Sequence, residues 1–187
     1  MGERQPRNET LPLPLPHEDL EKILVPQLPA AYDLARWLTR NHNQAEDLVQ
    51  TACLRAVRFF AGYRGGSARA WLLRIVRNAF YDSLEDARRD ECELSLEEET
   101  ASEREPRDPS DPEIELLRRA DGEALRRALE ELPAPYREII VLREIEGLSY
   151  REIAEACGLP LGTVMSRLAR ARSALQELVV RTSGGRP

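Results

Sequence analysis

Cysteine, histidine and aromatic residues are scarce in this chain of 187 residues. It contains three cysteines and two histidines, and aromatic side chains account for 5% of the sequence. Cys53, Cys92 and Cys157 lie far apart and form no Cys-x-x-Cys pair, so we expect neither a disulfide framework nor a metal site. The sequence also contains no Gly-rich phosphate loop and no Ser/His/Asp set. We therefore expect no catalytic residues and no cofactor, and an enzyme is disfavoured.

Long hydrophobic runs are also missing. No apolar stretch approaches the ~20 residues that a membrane span requires. The apolar N-terminal stretch LPLPLP, at residues 11–16, contains three prolines, which exclude the helical core of a signal peptide. These absences predict a cytoplasmic protein without membrane insertion. A charged fraction of 32% with few aromatic residues is typical of a soluble helical protein.

The charge of the chain is unevenly distributed. The formal net charge is −6, yet residues 82–115 contain fifteen acidic and four basic residues, so this segment carries −11 and the remainder +5. Residues 32–81 contain eight arginines against three acidic residues, and residues 161–181 contain four arginines against one. The sequence therefore predicts two basic segments joined by an acidic one, a pattern that the overall acidity conceals.

Helical periodicity interrupted by Gly- and Pro-rich breaks predicts an all-α fold with two small helical domains joined by a flexible acidic linker. No stretch alternates convincingly as a strand would. The predicted organisation is a disordered Pro-rich tail at residues 1–19, a first domain at 20–89, an acidic linker at 90–113, a second domain at 114–181 and a short tail at 182–187.

A capped helix in the first domain is predicted from the Asn-x-x-Glu spacing of Asn43 and Glu46. The apolar stripe expected to face the core comprises Leu48, Ala52, Ala56 and Phe59. A second face of the same helix presents Asp47, Gln50, Leu54 and Val57. An exposed leucine beside two polar residues favours a protein interface, and packing against another helix of the domain is the alternative.

The helix predicted from Ala68 has a polar face opposite its apolar stripe. The candidate contacts of this face to single-stranded or splayed DNA are Trp71, Arg74, Arg77, Asn78 and Tyr81. Aromatic rings stack on bases, amides hydrogen-bond to base edges, and guanidinium groups bind phosphates. For Trp71 the alternative is a role as an anchor of the core.

Residues 148–175 have the organisation of a helix-turn-helix. Ser149 and Glu152 have capping-box spacing, a tight turn follows at Gly158, and a second helix begins after Pro160. The expected buried seam of the second helix is Val164, Leu168, Ala171 and Leu175. The residues expected to contact DNA are Thr163, Ser166, Arg167, Arg170 and Arg172. The alternative is a solvated basic face on an ordinary amphipathic helix.

Two stretches of the chain resemble the conserved domains of the extracytoplasmic function (ECF, group IV) sigma factors of bacterial RNA polymerase. They are AEDLVQTACLRAVRFFAGYRGGSARAWLLRIVRNAFYD at residues 45–82 and PAPYREIIVLREIEGLSYREIAEACGLPLGTVMSRLARARSAL at residues 133–175. The resemblance implies that the first domain is sigma region 2, which binds the core enzyme and recognises and melts the −10 element. It implies that the second domain is sigma region 4, which reads the −35 element.

The resemblance also implies partners and further site residues. The protein would direct core polymerase to specific promoters in a stress or envelope response, under the control of an anti-sigma factor. Asp47, Gln50 and Leu54 would bind the clamp helices of the largest polymerase subunit, and the beta flap would be a second contact. The loop residues Tyr63, Arg64 and Ser67 would hold a flipped base of the non-template strand. The acidic linker would be either an extended tether or a mimic of nucleic acid in the RNA path, through Glu97–Glu99.

Two other functions compete with this interpretation. A stand-alone helix-turn-helix regulator would explain residues 148–175 and leave the first domain unexplained. A sigma-like decoy that binds an anti-sigma protein would be expected to lose the arginines of the second helix, which are present here. Two features depart from the family pattern: Met165 lies where a basic residue is common, and the LPLPLP tail has no counterpart.

Overall fold

The computed structural model describes residues 17–93 and 112–183, and within these residues it consists of helices and turns without a strand. The α-helices of the described residues are α1 His17–Leu24, α2 Leu28–Thr39, α3 His42–Phe59, α4 Ala68–Glu93, α5 Pro112–Glu131, α6 Ala134–Ile140, α7 Tyr150–Cys157 and α8 Leu161–Ser183. Short 3-10 turns follow α1 and α3, and a π-helical segment, Val141–Ile145, extends α6. The all-α prediction is confirmed. Within the described ranges, no helix is both long and apolar enough to cross a bilayer.

The first bundle consists of α1 to α4. Helices α2, α3 and α4 pack against one another in pairs, around fully buried residues that include Ala31, Leu34, Ala52, Leu72 and Val76. Alanines on α2 and α3 allow close approach of the helix backbones, and the leucines and valine of α2 and α4 fill the space between them. Full burial of one Val or Leu side chain contributes about 1.5–3 kcal/mol to the stability of the fold.

Helix α3 differs from its prediction at both ends. Its N-cap is Asn41, whose side chain accepts a hydrogen bond from the amide of Gln44, so the predicted start at Asn43 is wrong. Asn41 is the residue with extended backbone angles, and the helix begins immediately after it. Phe59, predicted in the core stripe, is 60% exposed, and Phe60 is buried instead. The α-helix ends at Phe59, and the following 3-10 turn directs the ring of Phe60 inward.

The second bundle consists of α5 to α8. Helix α8 packs against α5, α6 and α7, and the largest fully buried side chains of the bundle are Leu132, Ile139, Leu142, Ile153 and Leu168. The break between α5 and α6 lies at Pro133, as predicted, because proline has no amide hydrogen to continue the α5 ladder. The apolar seam of the helix-turn-helix is therefore continuous with the core of α5 and α6.

The two bundles contact each other. Helix α4 packs on α7, and α2 packs on α6. The sequence predicted two domains separated by a tether, and the direct contact between them was not foreseen. Helices begin three residues before the predicted first domain and two residues before the second. The Pro-rich stretch at 11–16 and Glu97–Glu99 of the acidic linker lie outside the described residues, and the domain boundaries remain predictions.

Candidate nucleic-acid interface

The helix-turn-helix is fixed by local hydrogen bonds. The hydroxyl of Ser149 accepts from the amide of Glu152, and the Glu152 carboxylate accepts from the amide of Ser149 at 2.8 Å, which confirms the predicted capping box. The Ser149 hydroxyl also lies 2.7 Å from Glu152 Oε2, and the hydrogen bonds that the carboxylate accepts from this hydroxyl and from the Ser149 amide lower the pKa of Glu152. Gly158 ends α7 with a left-handed backbone, φ 63°, which a residue without a Cβ adopts at little cost. The amides of Thr163 and Val164 then donate to the carbonyl of Pro160 at the start of α8.

Helix α8 separates its residues into a buried and an exposed face. Val164, Leu168 and Ala171 are at most 1% exposed, as the predicted seam requires, and Leu175 is half-buried. On the opposite face Ser166 and Arg170 are exposed, and Thr163 is half-buried near the helix start. Among the described residues Arg170 makes no ion pair, so its guanidinium is available to a ligand.

Of the other two predicted arginines of α8, Arg172 is paired with a carboxylate and Arg167 is half-buried. The guanidinium of Arg172 donates to Glu144 Oε1 through Nη2 at 2.5 Å and Nε at 3.1 Å. Both side chains are about half exposed, and exposed pairs of this kind contribute about 0–1 kcal/mol, so a phosphate can replace the carboxylate. Arg167 is half-buried, and its charge acts on the carboxyl of Glu138, whose pKa it helps to lower.

The loop between α3 and α4 is shaped by two glycines. Gly65 and Gly66 have φ values of 86° and 94°, in the region that favours glycine, and the hydroxyl of Tyr63 donates to the carbonyl of Gly66 at 2.9 Å. Arg64 and Ser67 are exposed. The hydroxyl of Ser67 accepts from the amide of Ala70 at 3.2 Å and so caps α4, whereas Arg64 makes no ion pair within residues 17–93 and 112–183.

Trp71 belongs to an aromatic cluster in the first bundle. Its ring centroid lies 5.0 Å from that of Tyr63 and 6.2 Å from that of Phe60. The indole is half-buried against the core, which is the alternative considered for it from the sequence. Its partly exposed edge remains beside the loop, so the cluster fixes the position of the loop relative to α4.

Some residues on the polar face of α4 are exposed, and others contact the second bundle. Arg74 and Asn78 are exposed, whereas Arg77 and Tyr81 are half-buried beneath the second bundle. Arg77 Nε lies 2.5 Å from Glu138 Oε1, and the Tyr81 hydroxyl donates to Glu138 Oε2 at 2.9 Å. The Arg77 guanidinium also lies 4.7 Å from the centre of the Tyr81 ring, in a cation–π contact. Two predicted DNA contacts therefore bind one carboxylate of α6.

The carboxylate of Glu138 is buried, with a side chain only 1% exposed. Burial raises its pKa, and the charge of Arg77 and the hydrogen bond from Tyr81 partly offset that shift. Burial and the negative charge of Glu138 raise the pKa of Tyr81, and they raise that of Cys157 to about 12. The Nε–H of Arg77 is not aligned for a hydrogen bond within the described residues, so the contact is an ion pair. The charges of Arg77 and Glu138 thus compensate each other without ideal geometry.

Two further arginine sites join the bundles. Arg69 donates to Glu146 Oε2 through Nη2 at 2.6 Å and Nε at 3.2 Å, and the side chain of Glu146 is 1% exposed. Arg137 is 4% exposed and donates to the carbonyls of Glu130 and Leu132, and across the bundle boundary to that of Leu38. Sequence reasoning missed these arginines and glutamates. For Arg137 and Glu146 the available signal was a charged residue within the apolar run YREIIVLREIEG, which does not include Arg69.

The predicted polymerase-binding residues lie together on an open face of α3. Asp47, Gln50 and Leu54 are exposed, and Leu54 is 68% exposed. The neighbouring Val57 and Phe59 are also largely exposed, so the apolar surface extends to the end of the helix. Apolar side chains beside polar ones at the rim are the composition of a protein interface.

Comparisons with known proteins agree with this architecture. A model of sigma-70 region 2 matches residues 25–90, and a model of sigma-70 region 4 matches residues 122–175. The ECF RNA polymerase sigma factor EcfG of Rhodopseudomonas palustris is 31% identical over 163 residues, which cover 87% of this chain and 86% of that protein. The ECF sigma factor SigE of Mycolicibacterium smegmatis is 37% identical over 152 residues, and the match spans 81% of this chain but 58% of that protein.

A solved structure extends the similarity to three dimensions. The sigma factor RpoE from Bartonella quintana, determined in complex with the anti-sigma factor NepR, superposes with a TM-score of 0.73 at 31% identity and covers 87% of this chain and 97% of that one. Region 2 and region 4 together define a protein of the sigma-70 class. Within that class, the chain belongs to the family of ECF RNA polymerase sigma factors.

Proposed function

We propose that this protein is a promoter-specificity subunit that binds bacterial core RNA polymerase and initiates transcription at defined promoters. The observation that supports this most directly is the presence of both sigma regions in one chain, each with a segment in which arginines outnumber acidic residues. A stand-alone helix-turn-helix regulator is not favoured, because it leaves α1 to α4 without a role. A decoy is not favoured, because the arginines of α8 are retained.

In this function region 4 reads the −35 element through α8. Ser166 and Arg170 face the bases, and Thr163, Arg167 and Arg172 face the phosphates at the edges of the groove. The exposure of Ser166 and Arg170 supports the assignment, since a side chain must be accessible to enter the major groove. A bidentate arginine–guanine pair contributes about 1–3 kcal/mol of discrimination.

Region 2 recognises and melts the −10 element through α4 and the loop before it. Arg74, Arg77 and Asn78 bind the strand, Tyr81 stacks on a base, and Trp71 supports the site from its partly exposed edge. Tyr63, Arg64 and Ser67 surround a flipped base. The left-handed glycines of the loop support this role, because they let a nucleotide approach the backbone closely.

The partners of this function are core polymerase, promoter DNA and an anti-sigma factor. Asp47, Gln50 and Leu54 form the contact with the clamp helices of the largest subunit, and region 4 contacts the beta flap. RpoE of Bartonella quintana was solved with an anti-sigma factor, which supports an equivalent partner here. With its two sigma regions, the protein corresponds to group IV of the sigma factors. In this function it acts in the cytoplasm, in a stress or envelope response, and it catalyses no reaction of its own.

Reconstitution tests this function directly. Core polymerase is mixed with the full chain and a library of promoter fragments, and run-off transcripts are sequenced. The expected result is a defined set of start sites that depend on the protein, with core polymerase alone as the control. The Asp47→Ala/Leu54→Ala variant should lose the complex with core, and Arg170→Ala should keep the complex and reduce the promoter-specific transcripts. The proposal fails if the wild-type chain neither binds core polymerase nor yields promoter-specific transcripts.

A further inference from the structure

The exposed face of α8 carries apolar side chains beside its polar ones. Leu161 and Met165 are 41% and 50% exposed, and Ala169 is exposed one turn further along the helix. Ser166 and Arg170 are exposed on the same part of α8. All five residues belong to about the first three turns of the helix, the part that enters the major groove in a helix-turn-helix protein. The function proposed above uses Ser166 and Arg170 and leaves the apolar residues without a role.

These residues form two parallel lines along the helix. A step of four residues in an α-helix rotates a side chain by about 40° and advances it by about 6 Å. Leu161, Met165 and Ala169 follow one another at this spacing, and we call them the apolar line. Ser166 and Arg170 have the same spacing, and we call them the polar line. Helix α8 therefore presents an apolar and a hydrogen-bonding surface side by side.

Duplex DNA has the chemistry that matches both lines. Residues 161–181 contain four arginines against one acidic residue, so a polyanion is attracted to this helix. In the major groove the bases present hydrogen-bonding groups and one apolar group, the C5 methyl of thymine. A methionine side chain is flexible and polarizable, so it can pack closely on such a methyl group. Met165 is central in the apolar line and keeps half of its surface free for that contact.

We propose that Met165 is a specificity-determining residue of region 4, which packs on the C5 methyl of a thymine in the −35 element. Ala169 continues the apolar contact along the groove, and Arg170 of the polar line hydrogen-bonds to a different base pair. The expected outcome is a preference for thymine at one position in one DNA strand, and thus for adenine opposite it. This inference rests on the proposed function of α8 and adds a base preference to it.

Replacement of thymidine by deoxyuridine tests this contact, because it removes the C5 methyl and keeps the O4 acceptor. The probe is the most active promoter fragment of the run-off library, with each thymine of its −35 segment, in either strand, replaced in turn by deoxyuridine. Holoenzyme is reconstituted from core polymerase and the full chain. The measured quantity is the holoenzyme concentration that half-saturates each fragment in an electrophoretic mobility shift.

The deciding variant is Met165→Ala, which shortens the side chain and leaves the buried seam of α8 unchanged. We expect one thymine whose replacement weakens binding of the wild-type holoenzyme by about fourfold, the factor for one buried methyl-sized group. The same replacement should change binding of the Met165→Ala holoenzyme by less than about 1.5-fold, because the contact is already absent. The matched control is Val180→Ala, at a position 64% exposed near the other end of α8, which should respond to every deoxyuridine as the wild type does.

A second variant tests the same position by an exchange of specificity. Glutamine is similar in length to methionine, and its amide hydrogen-bonds bidentately to adenine. In a run-off library with a randomised −35 segment, Met165→Gln should replace the preferred thymine by adenine and keep the preferences at the other positions. An unchanged thymine preference in Met165→Gln would contradict a contact by this side chain.

Three results would overturn the inference. The −35 segment selected by the wild type shows no preferred thymine in either strand, or deoxyuridine weakens the wild-type and Met165→Ala holoenzymes equally at every position. The third is loss of the complex with core polymerase by Met165→Ala, which would identify Met165 as a protein contact. If the wild-type chain neither binds core polymerase nor selects promoters, the proposed function fails and this inference falls with it. A wild-type holoenzyme that selects promoters, with deoxyuridine effects that do not depend on Met165, contradicts this inference alone.

Discussion

Replacement of Arg137 by methionine should destabilise the fold by about 3 kcal/mol. The Arg137 guanidinium donates to the carbonyls of Glu130 and Leu132 at 2.9 and 3.0 Å, and to that of Leu38 at 3.4 Å. These carbonyls lie at or beside the C-terminal ends of α5 and α2, where helices leave acceptors unsatisfied. Arg137 therefore caps two helix ends from opposite bundles with one cation.

The magnitude follows from the number and length of these hydrogen bonds. A hydrogen bond to a charged group contributes about 1.5–3 kcal/mol, and Arg137 makes two of good length. Part of this gain offsets burial of the charge, which lowers the pKa of Arg137 to about 10, and its Nε has no partner among the described residues. A net loss of about 3 kcal/mol corresponds to a fall in Tm of roughly 6–12 °C for a chain of this size.

Thermal and urea unfolding of the full chain, followed by far-UV circular dichroism, measures this loss. The matched control is Arg126→Met on α5, which removes an exposed i,i+4 ion pair with Glu130 at 3.1 Å and should cost about 0.3–0.5 kcal/mol. Arg137→Lys should fall between the two, because lysine retains the charge without the fork of donors. Equal destabilisation by Arg137→Met and Arg126→Met would refute the capping role of Arg137.

Three further outcomes are expected. Arg170→Ala should reduce promoter-specific run-off transcript by about 5- to 150-fold, the equivalent of about 1–3 kcal/mol, while binding to core polymerase is unchanged. Leu168→Ala, in the fully buried seam of α8, should cost about 2–5 kcal/mol in urea unfolding, against less than about 0.5 kcal/mol for the half-exposed Met165→Ala on the same helix. Burial raises the pKa of Glu138 and Glu146 above 4.5, so their contribution to the free energy of unfolding is present below pH 4.5 and is lost as the pH rises through the raised values. Unfolding midpoints recorded between about pH 4 and pH 7 should show this loss, and Glu138→Gln should reduce it; an unchanged profile in that variant would contradict the buried carboxylate.

The helix-turn-helix could be predicted in detail because its determinants are local. Ser149 and Glu152 satisfy each other within one turn, Gly158 supplies the left-handed residue, and the buried seam repeats at helical spacing. The ends of α3 were less predictable. Asn41 and Asn43 are both good N-cap residues, and in the structure Asn41 has the extended backbone angles of the N-cap.

The contact between the bundles could not be predicted, because its residues are far apart in sequence. Glu138 lies 57 residues from Tyr81, and Glu146 lies 77 residues from Arg69. A glutamate within YREIIVLREIEG has the charge expected of an exposed position, and neither local propensity nor periodicity reveals an arginine from another bundle. Arg77 and Tyr81 are likewise far in sequence from their partner Glu138. Their spacing on α4 predicts DNA contacts, and in the structure both side chains also bind the carboxylate of Glu138.

The π-helical segment Val141–Ile145 determines how the contact between the two bundles tolerates insertions and deletions. In a regular α-helix, Glu138 and Glu146 would lie eight residues and about 80° apart around the axis. The amide of Glu146 instead donates to the carbonyl of Val141, five residues back, and this wider turn rotates the chain by roughly 80° per residue rather than about 100°. Summed over the segment, the difference brings both carboxylates onto nearly the same side. The alignment of Glu138 with Arg77 and of Glu146 with Arg69 thus depends on one extra residue in the backbone. Deletion of one residue from this segment would turn Glu146 away from Arg69, although both glutamates would still be present in the sequence.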